Sequence, residues 1–143
     1  MGLALAPASP EGEVTDMAYI KYNANPYNND TIDCVIRGIS KVMDISWDEA
    51  YIRLFVEGYL KKEIPTRNDV WIEFLLSEGY HIEAVPNTCP NCITVEQFAE
   101  DHPEGRYLLG TGSHVIAVVH GNYYDTFNSG KERPIYYLEK GER

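Results

Sequence analysis

Residues 33–43 have the sequence Asp33-Cys34-Val35-Ile36-Arg37-Gly38-Ile39-Ser40-Lys41-Val42-Met43. Val35, Ile39 and Val42 recur at the spacing of one helix face. Asp33 or Thr31 precedes this stripe as a candidate helix cap. The stretch therefore predicts an amphipathic helix over about residues 33–44, with a thiol at its N-terminus.

Further helices are expected on the C-terminal side of this stretch. Ser46-Trp47-Asp48-Glu49 has the pattern of a capping box and predicts the start of a second helix. A third, strongly apolar helix is expected near residues 67–78, with Gly79 ending it. Thr94-Val95-Glu96-Gln97 is another capping box and predicts a short helix through about Asp101.

The second half of the chain has the pattern of short strands. They are expected at residues 80–85, 106–109, 114–119, 123–127 and 134–138. The stretch 114–119 is apolar after its first residue, which is typical of a central strand buried on both faces. Helices that precede antiparallel strands predict an α+β fold, in which an N-terminal helical half packs on a C-terminal antiparallel sheet.

Length and composition set the broad class of protein. A chain of 143 residues is long enough for one domain, which we place at residues 18–143, after a flexible leader at residues 1–17. The net charge of −10 argues against binding to nucleic acid. No apolar run reaches the length of a membrane span, and the first residues lack the basic segment of a secretion signal. We therefore expect a cytoplasmic protein, and its oligomeric state stays open.

The order of three polar residues predicts a catalytic site. Cys34 would sit over the free N–H groups of a helix N-terminus, which favours a thiolate. His114 opens the apolar strand, and either Asp125 or Asn128 follows it. A thiol, a base and a group that orients the base are the parts of a cysteine nucleophile. We therefore interpret Cys34 and His114 as catalytic rather than as buried structural residues.

The identity of the third residue depends on the hairpin between the predicted strands at residues 114–119 and 123–127. If Gly121-Asn122 is a two-residue turn, Val118 faces Asp125, which then lies too far from His114 for a hydrogen bond. If the loop has three residues, His114 pairs directly with Asn128. We therefore favour Asn128, and Asp125 is the alternative if a bulge shifts the register.

These residues resemble a known superfamily. The segment from Asn28 to Asp33-Cys34, the strand-opening His114 and the pair Asn128-Ser129 are similar to papain-like cysteine peptidases. The Asp-Cys pair resembles bacterial double-glycine leader peptidases and related small bacterial or phage proteins. The resemblance implies a papain-like fold with a Cys-His-Asn triad and no cofactor. It also implies that Asn28, at the position of a glutamine in those peptidases, contributes to an oxyanion hole.

Cys89-Pro90-Asn91-Cys92 is a second feature that involves thiols. Such a CxxC pair can be half of a zinc site, a redox pair or two loop cysteines. No second CxxC is present in the sequence, and no histidine has a spacing that completes a familiar zinc pattern. We therefore expect no metal site, with Cys89 and Cys92 as the weak alternative.

Three functions fit this sequence. The leading interpretation is a thiol-dependent hydrolase that cleaves peptide or isopeptide bonds in a peptide or protein substrate. The first alternative is a papain-like binding module that has lost catalysis, in which Cys34 would be an ordinary thiol. The second alternative is an acyltransferase with the same triad, which differs only in the second nucleophile that enters the site.

Overall fold

The computed structural model of the protein describes residues 14–16, 18–86 and 92–141. This part of the chain forms a mixed α/β structure, with helices packed on one sheet. Its helices are α1 (Cys34–Met43), α2 (Trp47–Lys61), α3 (Asn68–Ser77) and α4 (Val95–Asp101). Its strands are β1 (Val14–Asp16), β2 (Tyr19–Lys21), β3 (Tyr80–Ala84), β4 (Arg106–Gly110), β5 (Val115–Val119), β6 (Asn122–Asp125) and β7 (Tyr136–Lys140).

The helices begin and end close to the predicted residues because their caps are local. Ser46 accepts a hydrogen bond from the backbone N–H of Glu49 at the start of α2. Thr94 and Gln97 form a complete capping box at the start of α4. Asp33 precedes α1, but its side chain makes no cap hydrogen bond there. The Asp33 carboxylate instead binds the side chains of Arg37 and Trp47.

The strand order in the sheet is β1-β2-β6-β5-β4-β7-β3. Neighbours are antiparallel, except that β2 runs parallel to β6. The predicted antiparallel sheet is therefore correct for the C-terminal strands, but the sheet as a whole is mixed. The prediction missed β2 because this three-residue strand depends on pairing with a distant partner.

The predicted leader lies mostly outside the described residues. Within it, Val14–Asp16 form β1, which pairs with β2 at the edge of the sheet. These residues lack a periodic pattern of their own, so strand pairing rather than local preference places them in the sheet.

The sheet is covered on both faces, which explains the unbroken apolar run of β5. Val115 and Ala117 face the core formed with α1, α2 and α3. Ile116 and Val118 face a second core that includes Phe98 of α4. Every residue of β5 is buried, as predicted for a central strand. None of the described helices is both long and apolar enough to cross a membrane.

Gly38 allows α1 to approach the sheet closely. A Cβ atom at this position would lie 2.6 Å from Cδ1 of Leu108 and 3.2 Å from Cγ1 of Val115. Leu108 is fully buried, so it has little room to move away. The absence of a side chain at Gly38 thus sets the distance between α1, which carries Cys34, and β5, which follows His114.

We predict that Gly38→Val destabilises the protein. The added side chain overpacks the contact between α1 and the sheet, which should lower the free energy of unfolding by about 1–3 kcal/mol. Urea denaturation measures this change. Leu60→Val is the matched control, because it also places valine in a helix but at a residue that is 66% exposed. Equal stabilities of the two variants would contradict the close approach.

Candidate active site

Two chain segments bring Cys34 and His114 together. Cys34 is the first residue of α1, which packs against β5. His114 immediately precedes β5, in a turn where its backbone N–H donates to the Thr111 hydroxyl at 3.1 Å and its carbonyl accepts from the Thr111 N–H at 2.9 Å. The start of α1 and the start of β5 therefore lie next to each other, and backbone hydrogen bonds hold both segments.

His114 is paired with Asp125 on the side away from the thiol. The Nε2 atom of His114 lies 2.7 Å from Oδ2 of Asp125. The Asp125 side chain is only 1% exposed, and that of His114 is 15% exposed. Since Nε2 faces Asp125, Nδ1 is the nitrogen that remains for the Cys34 thiol. Phe127 stacks on the imidazole ring, with ring centroids 5.3 Å apart.

The pKa values of the thiol and the imidazole shift in opposite directions. Burial alone would raise the pKa of Cys34, but a hydrogen bond with His114, the charge of His114, the Val115 N–H and the charge of Arg37 together lower it. Burial alone would lower the pKa of His114, but hydrogen bonds and charge interactions with Asp125 and Cys34 raise it to about 10. Both shifts favour a thiolate–imidazolium pair.

The Asp125 carboxylate is satisfied by several donors at once. Its Oδ2 atom accepts from the Ser129 hydroxyl at 2.7 Å as well as from His114. Its Oδ1 atom accepts from Nη2 of Arg37 at 3.0 Å and from the backbone N–H of Thr126 at 2.8 Å. A carboxylate with no exposed surface is stable as an anion only when it is paired in this way.

Arg37 connects this carboxylate to a second buried one. Its Nη1 atom donates to Oδ1 of Asp33, one helical turn earlier. The indole Nε1 of Trp47 donates to Oδ2 of Asp33 at 2.8 Å. Arg37 binds both carboxylates, so Asp33, Arg37 and Asp125 form a continuous chain of alternating charges that runs from the start of α2 to His114. All three residues are buried. We call these three residues the ion chain.

The hairpin register explains why His114 meets Asp125 and not Asn128. The turn consists of His120 and Gly121, which both have positive φ, at 52° and 82°. Val119 therefore pairs with Asn122, and continuing this register puts Asp125 opposite Ile116, a diagonal neighbour of His114. Both turn geometries considered from the sequence were wrong: the two-residue turn was placed one residue later than observed, and the three-residue loop is one residue too long. Asp125, the alternative third residue, is the one that the structure brings to His114.

Asn128 has another partner set in the structure. Its Oδ1 atom accepts from the Tyr123 hydroxyl at 2.7 Å and from the backbone N–H of Gly130 at 3.0 Å. These bonds shape the turn that contains Ser129, whose hydroxyl binds Asp125. Asn128 thus contacts the site through the neighbouring residue and not through the imidazole.

Asn28 is not brought to the site either. It is exposed, has a φ of 59°, and its backbone N–H donates to the carbonyl of Asn25 at 2.8 Å. Its amide oxygen accepts from Asn23 within the same loop. This local turn directs Asn28 toward other loop residues, so the geometry does not support the predicted oxyanion role.

A small cavity of about 170 Å³ opens over the thiol. Cys34, Val35 and His114 line it together with Asn68 at the start of α3. Asn68 and Arg37 were not identified as site residues from the sequence, and Ser129 was noted only as part of the family resemblance. The i,i+4 spacing of Asp33 and Arg37 suggests an ion pair, but nothing local indicates that it is buried or that it reaches Asp125.

Cys92, the described member of the CxxC pair, is not among the residues that line this cavity. Cys89 falls outside the described residues, whereas Cys92 is disulfide-bonded and Cys34 is a free thiol. The guanidinium of Arg133 donates to the backbone carbonyl of Cys92. Within the described residues, no group of three or more His, Cys, Asp or Glu side chains is placed to hold a metal ion.

Comparison with known proteins assigns no family to the chain. It matches none of the protein-family models, curated proteins or solved structures with which it was compared. Function must therefore be inferred from the residues and their geometry.

We predict that Asp125→Asn and Asn128→Ala have different effects on Cys34. Removing the carboxylate charge lowers the pKa of His114, which weakens the ion pair and raises the pKa of Cys34. The pH dependence of iodoacetamide alkylation at Cys34, read by peptide mass spectrometry, measures this shift. Asn128→Ala should leave that profile close to that of the wild type. A larger shift in Asn128→Ala than in Asp125→Asn would contradict the observed pairing.

Proposed function

We propose that the protein is a papain-like cysteine hydrolase that cleaves peptide or isopeptide bonds. Cys34 is the nucleophile, His114 is the acid and base, and Asp125 orients and stabilises the imidazolium. The observation that carries this proposal is the pairing of a free thiol with a histidine whose second nitrogen is held by a buried carboxylate. Thiol, imidazole and carboxylate in this order are the parts of an activated cysteine nucleophile.

Acylation begins with attack by the Cys34 thiolate on the substrate carbonyl carbon. The carbonyl π electrons move to oxygen and give a tetrahedral oxyanion. As the first residue of α1, Cys34 has a backbone N–H without an intrahelical partner, and this group is suited to donate to the oxyanion. Collapse of the intermediate breaks the C–N bond, and His114 transfers its proton to the leaving amine.

Deacylation returns the site to its starting state. The now neutral His114 accepts a proton from a water molecule, which attacks the thioester carbonyl carbon. The C–S bond then breaks, which releases a carboxylic acid and the Cys34 thiolate, while His114 keeps the proton taken from water. Because the chain supplies the first nucleophile, the acid and the base, and water supplies the second nucleophile, the proposed cycle requires no metal or organic cofactor.

Asp125 differs from the asparagine that the family resemblance implies. A carboxylate stabilises the imidazolium by charge as well as by hydrogen bonding, which raises the pKa of His114. Arg37 and Ser129 share the same carboxylate and offset part of its charge. The site is therefore a Cys-His-Asp arrangement whose third member is itself held by an arginine.

The cavity supports a peptide or protein segment as the substrate. Ile32, which is 96% exposed, stands at its rim, and Val35 and Tyr136 add apolar surface to its walls. Apolar surface beside a polar reaction centre fits an amino-acid side chain next to the bond that is cleaved. The mixed α/β structure, with the thiol helix packed on the sheet, is also in keeping with a papain-like enzyme.

We predict a bell-shaped pH dependence for cleavage of a quenched-fluorescence peptide library. The rate rises as the pH passes the lowered pKa of Cys34, because the thiolate is the nucleophile. It falls as the pH passes about 10, where His114 loses the proton that the leaving amine needs. Fluorescence increase over pH 4–11, with products identified by mass spectrometry, tests this profile.

Two variants separate catalysis by this site from background cleavage. Cys34→Ala should abolish turnover, and His114→Ala should reduce it about 10²- to 10⁴-fold. Asn28→Ala is the control and should retain wild-type turnover. The hydrolase proposal fails if Cys34→Ala cleaves the library as the wild type does. It fails in favour of the silent binding module if the library is not cleaved and Cys34 alkylates as an ordinary thiol.

A further inference from the structure

Asn68 is the polar side chain of α3 that faces the reaction centre. It is the first residue of the helix, and it lines the same cavity as Cys34 and His114. The sequence alone assigns no site role to Asn68, because asparagine is a common residue at the start of a helix for reasons of helix capping. Because it shares a cavity with the thiol, the direction of its amide group decides what it can offer to a substrate.

The orientation of the Asn68 amide is fixed by a buried tryptophan. The indole Nε1 of Trp71 donates to Oδ1 of Asn68 at 3.0 Å, and Trp71 is fully buried. An indole N–H is a donor only, so the amide atom that faces it must be the carbonyl oxygen. The NH2 group of Asn68 is consequently turned away from the Trp71 indole, on an exposed side chain in the cavity wall.

We propose that Nδ2 of Asn68 donates a hydrogen bond to the substrate carbonyl oxygen and to the oxyanion that forms from it. This inference rests on the proposed hydrolase function. It moves the side-chain part of the oxyanion hole from Asn28, in the loop before α1, to the start of α3. The backbone N–H of Cys34 supplies the second donor to the same oxygen.

The electron and proton balance of the step is that of acyl transfer to sulfur. The Cys34 thiolate forms a C–S bond as the carbonyl π pair moves to oxygen, where Asn68 and the Cys34 N–H stabilise it. The pair then reforms the carbonyl as the bond to the leaving group breaks. A donor that is already oriented before attack acts mainly on the charge that develops at oxygen.

Two reagents separate stabilisation of an oxyanion from reactivity of the thiol. p-Nitrophenyl acetate acylates Cys34 through a tetrahedral oxyanion and releases p-nitrophenolate. Iodoacetamide alkylates Cys34 by displacing iodide at a saturated carbon, so no oxyanion forms. The ratio of the two rate constants cancels any change in the fraction of thiolate, and it is the quantity to compare between variants.

The experiment uses the full chain with Asn68→Ala, Asn68→Asp and Asn28→Ala. Asn68→Ala should lower the acylation-to-alkylation ratio by about 10- to 100-fold, because removal of one oxyanion donor has effects of this order or larger. Asn68→Asp keeps an acceptor for the Trp71 indole but has no NH2 group. It should therefore remain folded and lower the acylation-to-alkylation ratio at least as much as Asn68→Ala does. Asn28→Ala should leave the ratio unchanged.

The outcomes separate this proposal from the one on which it rests. A wild-type ratio in either Asn68 variant overturns the role of Asn68, and so does an equal loss of both reactions. If wild-type Cys34 reacts with iodoacetamide only as an ordinary thiol does, the proposed hydrolase function fails, and the role of Asn68 fails with it. A selective loss of acylation with normal alkylation supports both.

Discussion

The buried ion chain of Asp33, Arg37 and Asp125 is the interaction on which the rest of the site depends. These three charges have almost no contact with solvent, so each one is stable only because its partners are in place. Arg37 belongs to α1 and Asp125 to the end of β6, so the pair ties the helix that carries the nucleophile to the sheet. Loss of one member would leave an uncompensated buried charge, which typically costs about 3–5 kcal/mol.

The same chain of charges controls the chemistry of Cys34. Asp125 raises the pKa of His114 from a position in which Arg37, Ser129 and a backbone N–H hold its carboxylate. His114 in turn lowers the pKa of the thiol. Packing at Gly38 sets how closely α1 approaches the sheet, and therefore where the thiol lies. Fold and reactivity thus share one set of contacts.

Much of the fold could be predicted from local patterns. The caps at Ser46 and Thr94 marked the helices, and the apolar run after His114 marked the central strand. The short β2 strand could not be found this way, because its pairing with β6 is determined by contacts far away in the sequence. The mixed character of the sheet was missed for the same reason.

The contacts within the candidate site were only partly predictable from the sequence. Cys34 and His114 were identified because each sits at the start of a regular element. Asn128 was favoured over Asp125 as the partner of His114 because a one-residue change in the turn decides which side chain His114 meets, and a histidine at positive φ was not anticipated there. Arg37 is recognised only from its burial and its bond to the distant Asp125, and Asn68 only from its place in the cavity wall, and both are properties of the folded chain and not of a sequence pattern.

The protonation state of His114 is the most direct test of the central claim that a thiolate–imidazolium pair is held by a buried carboxylate. Nitrogen-15 NMR of histidine-labelled protein reports both ring nitrogens, and variants of the other three histidines assign the signals. We expect both nitrogens of His114 to stay protonated from pH 6.5 through neutral pH until about pH 10, and Cys34→Ala to lower that midpoint. A neutral His114 imidazole at pH 7–8 would contradict this account.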